Sequence, residues 1–266
     1  MLVTGSKSGL GKYLCEEFKV IGIDRQTDVG KFPKSSVGTI IHCAFSRQSA
    51  FTKSFFDDNI LLTRKLLEIP HDKFIYISSV DVYPSDELHL LGGWEEIDEI
   101  GFDKRYKPRD NLYAVTKLLN EQLISTTSQN FLILRCSGLL GKTGKPNTIT
   151  KLLNGGQLTV TKDSLFNYIG HQDVMRFIRL AIEKDLTGAW NLCSSESLTT
   201  EEIADTLSVS DVRYGDFKYD VGMIDTSKAI VIGANLRSTK EVIQEFAERR
   251  NREKDISHRS DRVNRK

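Results

Sequence analysis

Two groups of residues, far apart in the chain, have side chains suited to a single chemical reaction. The first is the glycine-rich run TGSKSGLG at residues 4–11. The second is the run YAVTK, in which the phenol of Tyr113 and the ammonium of Lys117 lie one helical turn apart on the same face. A glycine-rich loop can bind the pyrophosphate of a dinucleotide, and a phenol beside a cation can transfer a proton. Together they predict a nicotinamide-dependent enzyme in which Tyr113 moves a proton while the cofactor moves a hydride.

The glycine-rich run has the neighbours that a dinucleotide-binding loop requires. It follows an apolar segment at residues 1–3 and precedes a helical segment at residues 10–18. The next apolar segment, residues 20–23, ends in Asp24. Glycine lets backbone N–H groups approach phosphate, and the start of the following helix adds a positive dipole. This context favours a dinucleotide site over a simple turn between a strand and a helix.

Asp24 sets the expectation for the cofactor. Its carboxylate is placed to accept hydrogen bonds from the adenosine ribose hydroxyls and to repel a 2′-phosphate, which favours NAD. Arg25 and Lys7 act in the opposite direction, because either cation could bind that phosphate. We expect NAD as the cofactor, with NADP as the alternative.

The chemistry of Tyr113 depends on its surroundings. A tyrosine hydroxyl titrates at a pH of about 10 in water, which is too high for a base at neutral pH. The ammonium of Lys117 and the positive charge of an oxidised nicotinamide both favour the phenolate and lower that pKa. Ser79 follows an apolar segment at residues 74–77 and is placed to hydrogen-bond the reacting oxygen. The YxxxK spacing alone is common by chance, so the prediction depends on its combination with Ser79 and the glycine-rich run.

Short apolar segments alternate with segments of helical spacing along most of the chain. Further strands are predicted over residues 39–44, 74–77, 131–134 and 189–192, and helices over residues 59–68, 113–124 and 174–183. This alternation predicts an α/β fold with a doubly wound parallel Rossmann sheet. The run TTEE at residues 199–202 predicts a capping box that begins a helix extending to Leu207.

A change of composition after Arg135 predicts a second, smaller lobe. Gly, Asn, Thr and Lys dominate residues 138–154, as expected of a loop-rich region that binds substrate. We expect a dinucleotide-binding domain over residues 1–135, with residues 167–195 returning to it, and a small C-terminal substrate lobe of residues 136–166 and 196–246. Residues 247–266 form a basic tail with almost no apolar residues, for which disorder or a frayed helix is expected.

Composition limits the partners. The 37 basic and 36 acidic residues give a formal net charge of +1, so nucleic acid is not expected as a partner. No apolar run approaches the roughly 20 residues that span a bilayer, and there is no signal peptide, so we expect a cytoplasmic protein without a membrane segment. The 4 cysteines have no CxxC spacing and no neighbouring histidine cluster, so no metal site is expected.

Several motifs resemble those of the extended short-chain dehydrogenase/reductase family, in particular its NAD-dependent epimerase/dehydratase group, which acts mainly on nucleotide sugars. The stretches that carry the resemblance are NILLTRKLLE at 59–68, SSVDVY at 78–83, PRDNLYAVTKLLNE at 108–121, IGHQDV at 169–174 and DTSKA at 225–229. The resemblance implies a catalytic set of Ser79, Tyr113 and Lys117, and a homodimer formed through the helices at 59–68 and 113–124.

The candidate cofactor-binding residues lie in the glycine-rich run, after the next two strands, on the Tyr113 helix and after the strand at 131–134. They are Gly5, Ser6, Lys7, Gly9, Leu10, Gly11, Asp24, Arg25, Cys43, Ala44, Phe45, Tyr113, Lys117 and Ser137. The candidate catalytic residues are Ser79, Asp81, Tyr113 and Lys117.

Asp81 is the most individual feature of the motif at 78–83. Two residues after the catalytic Ser or Thr, dehydratases of this family carry a Glu base, fucose synthases a Cys acid/base and simple 4-epimerases a Thr. Asp81 is therefore either a second proton-transfer group that acts beside a keto carbon or a carboxylate that caps its own turn. The sequence leaves both roles open.

Three features depart from the family pattern. The glycine spacing GxxxGxG is that of the shorter, single-domain branch, and Pro84 replaces the glycine that follows the VY pair. Phe166 stands where an arginine usually binds the substrate diphosphate. This last departure bears on the nucleotide of the substrate rather than on the redox chemistry.

The sequence as a whole predicts an NAD(P)-dependent epimerase, dehydratase or ketoreductase that acts on a sugar, with a nucleotide sugar as the expected substrate and Tyr113 as acid/base. Two alternatives stay open. One is an NADP-dependent reductase of a non-nucleotide carbonyl compound, which Phe166 would permit. The other is a non-catalytic NAD(P)-binding sensor on the same fold.

Overall fold

The computed structural model describes residues 1–32, 35–48, 50–83, 111–144 and 146–263 of the chain. Pro84 and the start of the motif at 108–121 lie outside these residues. The described strands are β1 (Leu2–Thr4), β2 (Gly22–Ile23), β3 (Thr39–His42), β4 (Lys73–Ser79), β5 (Phe131–Cys136), β6 (Gly138–Leu140), β7 (Leu165–Phe166), β8 (Tyr168–Gly170), β9 (Gly188–Leu192) and β10 (Leu198–Thr199). The described helices are α1 (Gly9–Phe18), α2 (Lys53–Phe56), α3 (Leu62–Leu67), α4 (Asn111–Thr127), α5 (Thr148–Leu152), α6 (His171–Glu183), α7 (Thr200–Thr206), α8 (Ser227–Val231) and α9 (Thr239–Val263).

Among the described residues, six strands form one parallel sheet in the order β2-β1-β3-β4-β5-β9. The central strands β4 and β5 are rich in Ile, Leu, Phe and Tyr and pair from Phe74 opposite Phe131 to Ser79 opposite Cys136. Because β2 and β3 lie on opposite sides of β1, a crevice opens at the carboxyl ends of β1 and β3. The predicted fold class, a doubly wound parallel α/β sheet, is confirmed.

Helices cover both faces of this sheet. On one face, Leu14 of α1 and Ile178 of α6 pack in a cluster with the strand residues below them. On the other face, Leu66 of α3 and Ile124 of α4 pack with Tyr76 of β4. Burial on both faces explains why the central strands are continuously apolar rather than alternating.

A second core lies in the C-terminal lobe. Strand β6 pairs in parallel with β8, and β7 pairs antiparallel with β10. Ile149 of α5, Ile203 of α7 and Ile243 of α9 belong to one buried cluster. The predicted capping box is confirmed, because the Thr199 hydroxyl accepts from the N–H of Glu202 and the Glu202 carboxylate accepts from the N–H of Thr199.

Helix α9 includes most of the basic tail. The described part of the tail is therefore helical rather than disordered. Ion pairs between residues four apart, Arg249 with Glu245 and Arg252 with Glu248, join successive turns. Such pairs add to helix stability where few apolar residues contribute. None of the described helices combines the length and the apolar character needed to cross a bilayer.

Candidate active site

The glycine-rich run turns from β1 into α1 at the crevice between β1 and β3. Gly5 has a φ of +76°, and a Cβ there would lie 3.2 Å from the backbone nitrogen of Ala44. A Cβ at Gly11 would collide with the carbonyl oxygen of Thr4. Glycine is therefore required by backbone conformation at Gly5 and by the close approach of α1 to β1 at Gly11.

The glycine-rich run forms one end of a continuous cleft of about 1400 Å³. The predicted cofactor-binding residues that line it are Gly5, Lys7, Gly9, Leu10, Gly11, Asp24, Arg25, Cys43, Ala44, Phe45, Tyr113, Lys117 and Ser137. Ser6 is the exception: its N–H donates to the carbonyl of Ile23, and its side chain lies against Gly22. The cleft exceeds the usual volume of a small-molecule pocket, so it has room for a dinucleotide and a second molecule.

Asp24 lies at the carboxyl end of β2, as predicted. Its carboxylate accepts hydrogen bonds from the N–H of Gln26 (2.9 Å) and the hydroxyl of Thr27 (3.1 Å) and lies 3.3 Å from the ammonium of Lys7. The hydrogen bond from Gln26 is the largest cause that lowers the pKa of Asp24, followed by Lys7. The carboxylate is therefore held ionised at the edge of the cleft.

Arg25, the other cation beside Asp24, already has partners in the cleft. It donates to the hydroxyl of Ser46 at 2.8 Å and lies 3.2 Å from the carboxylate of Asp58. Both cations that could bind a 2′-phosphate, Lys7 and Arg25, are thus close to a carboxylate of the chain.

The segment after β6 lies across the start of α1. The N–H of Gly9 donates to the carbonyl of Thr143 at 2.6 Å, and the hydroxyl of Thr143 donates to the carbonyl of Gly9 at 2.7 Å. No local pattern in the sequence indicates this contact, because the two residues are 134 positions apart. One N–H of the predicted phosphate-binding loop therefore already has a partner within the chain.

A buried hydrogen-bond chain fixes the segment that follows β3. The Thr4 hydroxyl accepts from the N–H groups of Cys43 (3.1 Å) and Ala44 (3.0 Å), so its own proton points to Nδ1 of His42 at 2.7 Å. Nε2 of His42 lies 2.9 Å from the hydroxyl of Thr63. Burial lowers the pKa of His42 to about 3, so the ring is neutral and Nε2 carries its proton toward Thr63.

Asn59 extends this support. Its side-chain oxygen accepts from the N–H of Ser46 (2.8 Å), and its side-chain nitrogen donates to the carbonyls of Ser46 (3.1 Å) and Phe55 (2.9 Å). Asn59 lies in a π-helical turn, Asp57–Leu61, between α2 and α3, a local geometry that is frequent at functional sites. The segment predicted as one helix at 59–68 therefore contains a side chain that holds the loop after β3.

Tyr113 lies in the first turns of α4 and faces the cleft. The ring of Phe45 meets it edge to face, with centroids 4.9 Å apart, and the guanidinium carbon of Arg47 lies 4.7 Å from its centroid. The lowering of the Tyr113 pKa expected from Lys117 is not found: burial raises this pKa, and the charge of Asp81 raises it further. The charge of Arg47 and hydrogen bonds with Ser79 and Arg47 lower it.

Lys117 lies one turn after Tyr113 and is buried. Its ammonium donates to the carbonyl of Ile77 at 2.7 Å and lies 5.8 Å from the centroid of the Tyr113 ring. It also lies over the rings of Phe45 (4.8 Å) and Tyr76 (4.7 Å). Burial lowers the pKa of Lys117 to about 8. The predicted pair of Tyr113 and Lys117 is therefore brought together on one side of the cleft.

Glu121, one turn further along α4, holds this helix to the strands below it. It accepts a hydrogen bond from Ser78 of β4 and pairs with the guanidinium of Arg135 of β5 at 2.8 Å. All three side chains are buried. Because Ser78 precedes Ser79, this network fixes the strand end that carries Ser79 relative to the helix that carries Tyr113.

Asp81 faces the cleft and contacts two parts of the molecule. One carboxylate oxygen accepts from the hydroxyl of Ser79 at 3.2 Å, and the other accepts from the hydroxyl of Tyr219 at 2.9 Å. The N–H of Asp81 donates to the Ser79 hydroxyl at 3.2 Å. Asp81 is thus placed with Ser79 and Tyr113, and the C-terminal lobe supplies its other partner.

Phe166 lies in a stack of three aromatic rings at the lobe side of the cleft. Its ring is nearly parallel to those of Tyr219 (centroids 4.8 Å apart, 24°) and Tyr168 (5.8 Å, 12°). At this position, where the family usually has an arginine, the wall of the cleft is aromatic. The sequence identified Phe166 but not the two tyrosines, which lie on other segments.

Two buried polar atoms that border the cleft have no hydrogen-bond partner among the described residues. They are the hydroxyl of Ser137 and Nδ1 of His171. The sequence analysis predicted Ser137 as a cofactor contact but did not identify His171 as a residue at the cleft. Within the described part of the chain, no group of three or more His, Cys, Asp or Glu side chains is placed to hold a metal ion.

A doubly wound parallel sheet with a glycine-rich first turn and a cleft at its carboxyl edge defines a Rossmann-type dinucleotide-binding fold. The UDP-N-acetylglucosamine 4-epimerase from Bacillus cereus has a similar structure, with a TM-score of 0.70 and 21% identity over 92% of this chain and 97% of that chain. MoeE5 in complex with UDP-glucuronic acid and NAD gives a TM-score of 0.73 and 19% identity over 95% and 99%. The UDP-N-acetylglucosamine 4-epimerase from Methanobrevibacter ruminantium M1, in complex with UDP-N-acetylmuramic acid, gives 0.72 and 18% over 93% and 96%. At these identities the likeness concerns the fold.

The family is shown by the sequence itself. No curated protein sequence matches the chain significantly. The profile of the NAD dependent epimerase/dehydratase family matches residues 1–193. The chain belongs to this family, as the motifs at 78–83 and 108–121 predict.

Proposed function

We propose that this chain is an NAD-dependent enzyme that oxidises a sugar hydroxyl and then epimerises, dehydrates or reduces the resulting ketone, with a nucleotide sugar as substrate. The observation that carries the proposal is the placement of Ser79, Tyr113 and Lys117 together in a cleft that ends at the glycine-rich run. Family membership supports the redox chemistry. The solved structures of similar fold with NAD and UDP-sugars support the cofactor and the substrate class.

The residues at the glycine end of the cleft fit NAD. A Cβ at Gly9 would meet no atom within 4 Å, so the start of α1 is open at this position, and Asp24 is an ionised acceptor for ribose hydroxyls. The buried hydroxyl of Ser137, which has no partner among the described residues, would gain one from a molecule bound there. When bound, NAD accepts a hydride from the substrate carbon and can return it.

The neighbours of Asp24 favour NAD over NADP. Lys7 lies 3.3 Å from Asp24, and Arg25 lies 3.2 Å from Asp58. A 2′-phosphate would have to compete with these carboxylates for both cations while lying next to the negative charge of Asp24.

Tyr113 removes the proton of the substrate hydroxyl while the hydride leaves the carbon that bears this hydroxyl. The positive charge of Lys117 stabilises the phenolate that receives this proton. The Ser79 hydroxyl, which donates to Asp81 in this structure, would turn to donate to the reacting oxygen of a bound substrate. In the reverse direction Tyr113 returns the proton to the ketone.

Asp81 is proposed as a second acid/base. The hydroxyls of Ser79 (3.2 Å) and Tyr219 (2.9 Å) both donate to its carboxylate, so Asp81 links the end of β4 beside Tyr113 to the C-terminal lobe. A carboxylate at this point could remove a proton from a carbon next to the ketone, where the carbonyl acidifies it. This role favours a dehydratase or an epimerase that acts beside the oxidised carbon.

The aromatic stack favours a second candidate function. With Phe166 between Tyr168 and Tyr219, the described part of this wall presents aromatic rings where a guanidinium would bind a diphosphate. A reductase of a carbonyl compound without a nucleotide would fit this wall better than a nucleotide-sugar enzyme would.

The test is a substrate panel with the purified chain and NAD. UDP-glucose, UDP-N-acetylglucosamine and UDP-glucuronic acid are incubated with the enzyme, and products are identified by NMR, with Tyr113→Phe as the inactive control. We expect a new epimer, a keto sugar or a dehydrated sugar from at least one of them. No turnover of any UDP-sugar, together with NAD(P)H-dependent reduction of simple ketoses, would support the second candidate.

We also propose a homodimer through the outer surface of α4. Leu112, Val115, Leu119 and Leu123 recur there at helical spacing, and Leu119 is exposed. An apolar stripe on an outward face is typical of an interface. Sedimentation at micromolar concentration should give a dimer that Leu119→Glu dissociates and that Val231→Glu, at an exposed apolar position of α8, does not. A monomeric unmodified chain would contradict the proposal.

A further inference from the structure

We propose that Arg47 is a positioning residue whose guanidinium acts as a second cation and stabilises the deprotonated hydroxyl of Tyr113. The inference rests on the proposed role of Tyr113 as the acid/base. It assigns a function to a loop residue that no motif of the sequence identified.

The geometry around Tyr113 supports this role. The guanidinium carbon of Arg47 lies 4.7 Å from the centroid of the Tyr113 ring, closer than the 5.8 Å of the Lys117 ammonium. Phe45, two residues before Arg47, packs edge to face on the same ring. The loop after β3 therefore contacts Tyr113 with both an aromatic ring and a charge.

The backbone that carries Arg47 is held in place. Asn59 binds both the N–H and the carbonyl of Ser46, the residue immediately before Arg47. Ser46 is buried and also accepts a hydrogen bond from Arg25. The loop can therefore present the Arg47 side chain to the cleft at a defined position, although that side chain is itself exposed.

The two cations near Tyr113 differ in how they titrate. Burial lowers the pKa of Lys117 to about 8, so its charge is lost as the pH rises past that value. A guanidinium stays protonated over the whole working range. Arg47 would therefore keep one positive charge beside the hydroxyl at a pH where Lys117 no longer supplies it.

The other groups that face Tyr113 make a second cation useful. Ser79 and Asp81 face it from the end of β4, Arg47 and Phe45 from the loop after β3, and Lys117 from α4 itself. From the C-terminal lobe, Tyr219 approaches this group through Asp81, to which it donates. The negative charge of Asp81 disfavours the phenolate, and the charge of Arg47 opposes that effect.

The test is a spectroscopic titration of Tyr113 that needs no substrate. The near-ultraviolet absorbance of tyrosinate is recorded against pH, and the same curve for Tyr113→Phe is subtracted, because the chain has 8 tyrosines. In Arg47→Gln the titration of Tyr113 should move to higher pH, whereas in Arg47→Lys it should stay close to that of the unmodified chain. Arg64→Gln, a surface change of the same charge, should leave it in place.

Solvent screening limits the size of the effect. Because Arg47 is exposed, its removal should lower the phenolate fraction at a fixed pH by about two- to fivefold, the usual range for a solvent-screened charge. Lys117→Gln should shift the titration less than Arg47→Gln does, because Lys117, with a pKa of about 8, is already neutral at the pH where Tyr113 titrates. An unshifted titration in Arg47→Gln would overturn the proposal.

Equilibrium binding distinguishes the competing role of Arg47 as a ligand for a substrate anion. If Arg47→Gln lost affinity for UDP-glucuronic acid but not for UDP-glucose, with an unchanged titration, Arg47 would belong to substrate recognition and the proposal would be wrong. Failure of the proposed function is seen separately, as full activity of Tyr113→Phe, and does not depend on the titration.

Discussion

The cofactor end and the substrate end of the cleft are held by different kinds of contact. At the cofactor end, the approach of β1, α1 and the loop after β3 is fixed by backbone geometry at Gly5 and Gly11 and by the Thr4 hydroxyl. At the substrate end, Asp81 and the Phe166 ring both depend on Tyr219 of the C-terminal lobe. The parallel sheet therefore determines the first end, whereas the packing of the lobe on the sheet determines the second.

This difference has a functional consequence. Changes around Tyr219 can alter the wall of the cleft and the partner of Asp81 without touching the glycine-rich run, which the lobe contacts through Thr143. Substrate and reaction outcome can thus vary while the cofactor site stays constant. Variants at each end should separate cofactor binding from the fate of the substrate.

The largest effect is expected where the two ends meet, at Tyr113. Tyr113→Phe should lower turnover by about 10²- to 10⁴-fold, the usual contribution of a positioned acid/base. NAD affinity, measured by calorimetry, should change little, because the phenyl ring of the variant still fills the space beside Phe45. Tyr214→Phe in the lobe is the control and should keep full turnover. Full activity of Tyr113→Phe would contradict the assignment of Tyr113 as the catalytic acid/base.

At the substrate end, Asp81→Asn should preserve hydride transfer to a simple keto substrate and lower deuterium incorporation from solvent beside the carbonyl by about 10²-fold or more. Mass spectrometry of the product in D₂O measures both. Tyr219→Phe, which removes the donor to Asp81 but keeps the ring stacked on Phe166, should give a smaller loss. Deuterium incorporation at the normal rate in Asp81→Asn would leave Asp81 with a structural role.

Much of the cofactor end could be predicted because its chemistry is encoded by short spacings. The glycine-rich run, Asp24 at the next strand end and the single turn between Tyr113 and Lys117 are local patterns. Ser79 was found for the same reason, as the residue that ends an apolar strand. The alternation of strands and helices predicted the Rossmann sheet. Its central strands, β4 and β5, include the apolar runs predicted as strands at 74–77 and 131–134.

The contacts that the sequence could not indicate join distant segments. Tyr219 is 138 residues from Asp81, and Thr143 is 134 residues from Gly9. No periodicity identifies an exposed Arg47 or the hydroxyl of Thr4 as partners of the site. Asn59 was noticed as part of a motif, but its task, holding the loop after β3, required the fold.

At the cofactor end, Asp24→Ala tests the choice of dinucleotide. Loss of a charged acceptor for the ribose hydroxyls should weaken NAD by about 10- to 100-fold, whereas NADP should be affected far less. Asp28→Ala, an exposed carboxylate four residues later, is the control. Stronger binding of NADP than NAD by the unmodified chain would mean that Lys7 or Arg25, rather than Asp24, decides the cofactor.

The smallest effect, on stability, tests whether a buried histidine supports the cofactor end. The pKa of His42 falls from 6.5 in the unfolded chain to about 3 in the folded one, because burial disfavours its charged form. Between these values the unfolded chain binds more protons, so stability is present above pH 6.5 and is lost as the pH falls. For one histidine, the free energy of unfolding falls by at most about 1.4 kcal/mol for each pH unit in this range. Urea unfolding from pH 7 to pH 5 should show this slope in the unmodified chain, together with that of His171, whose pKa burial lowers to about 4.

In His42→Gln the free energy of unfolding should depend less steeply on pH, because one fewer histidine takes up a proton on unfolding. His171→Gln should reduce this dependence by a similar amount. Gln can still hydrogen-bond Thr4 and Thr63, so His42→Gln should bind NAD nearly as well as the unmodified chain at pH 7. If the slope were the same with and without His42, the ring would not be held neutral by the fold. The loop after β3 would then owe its position to Asn59 and the Thr4 hydroxyl alone.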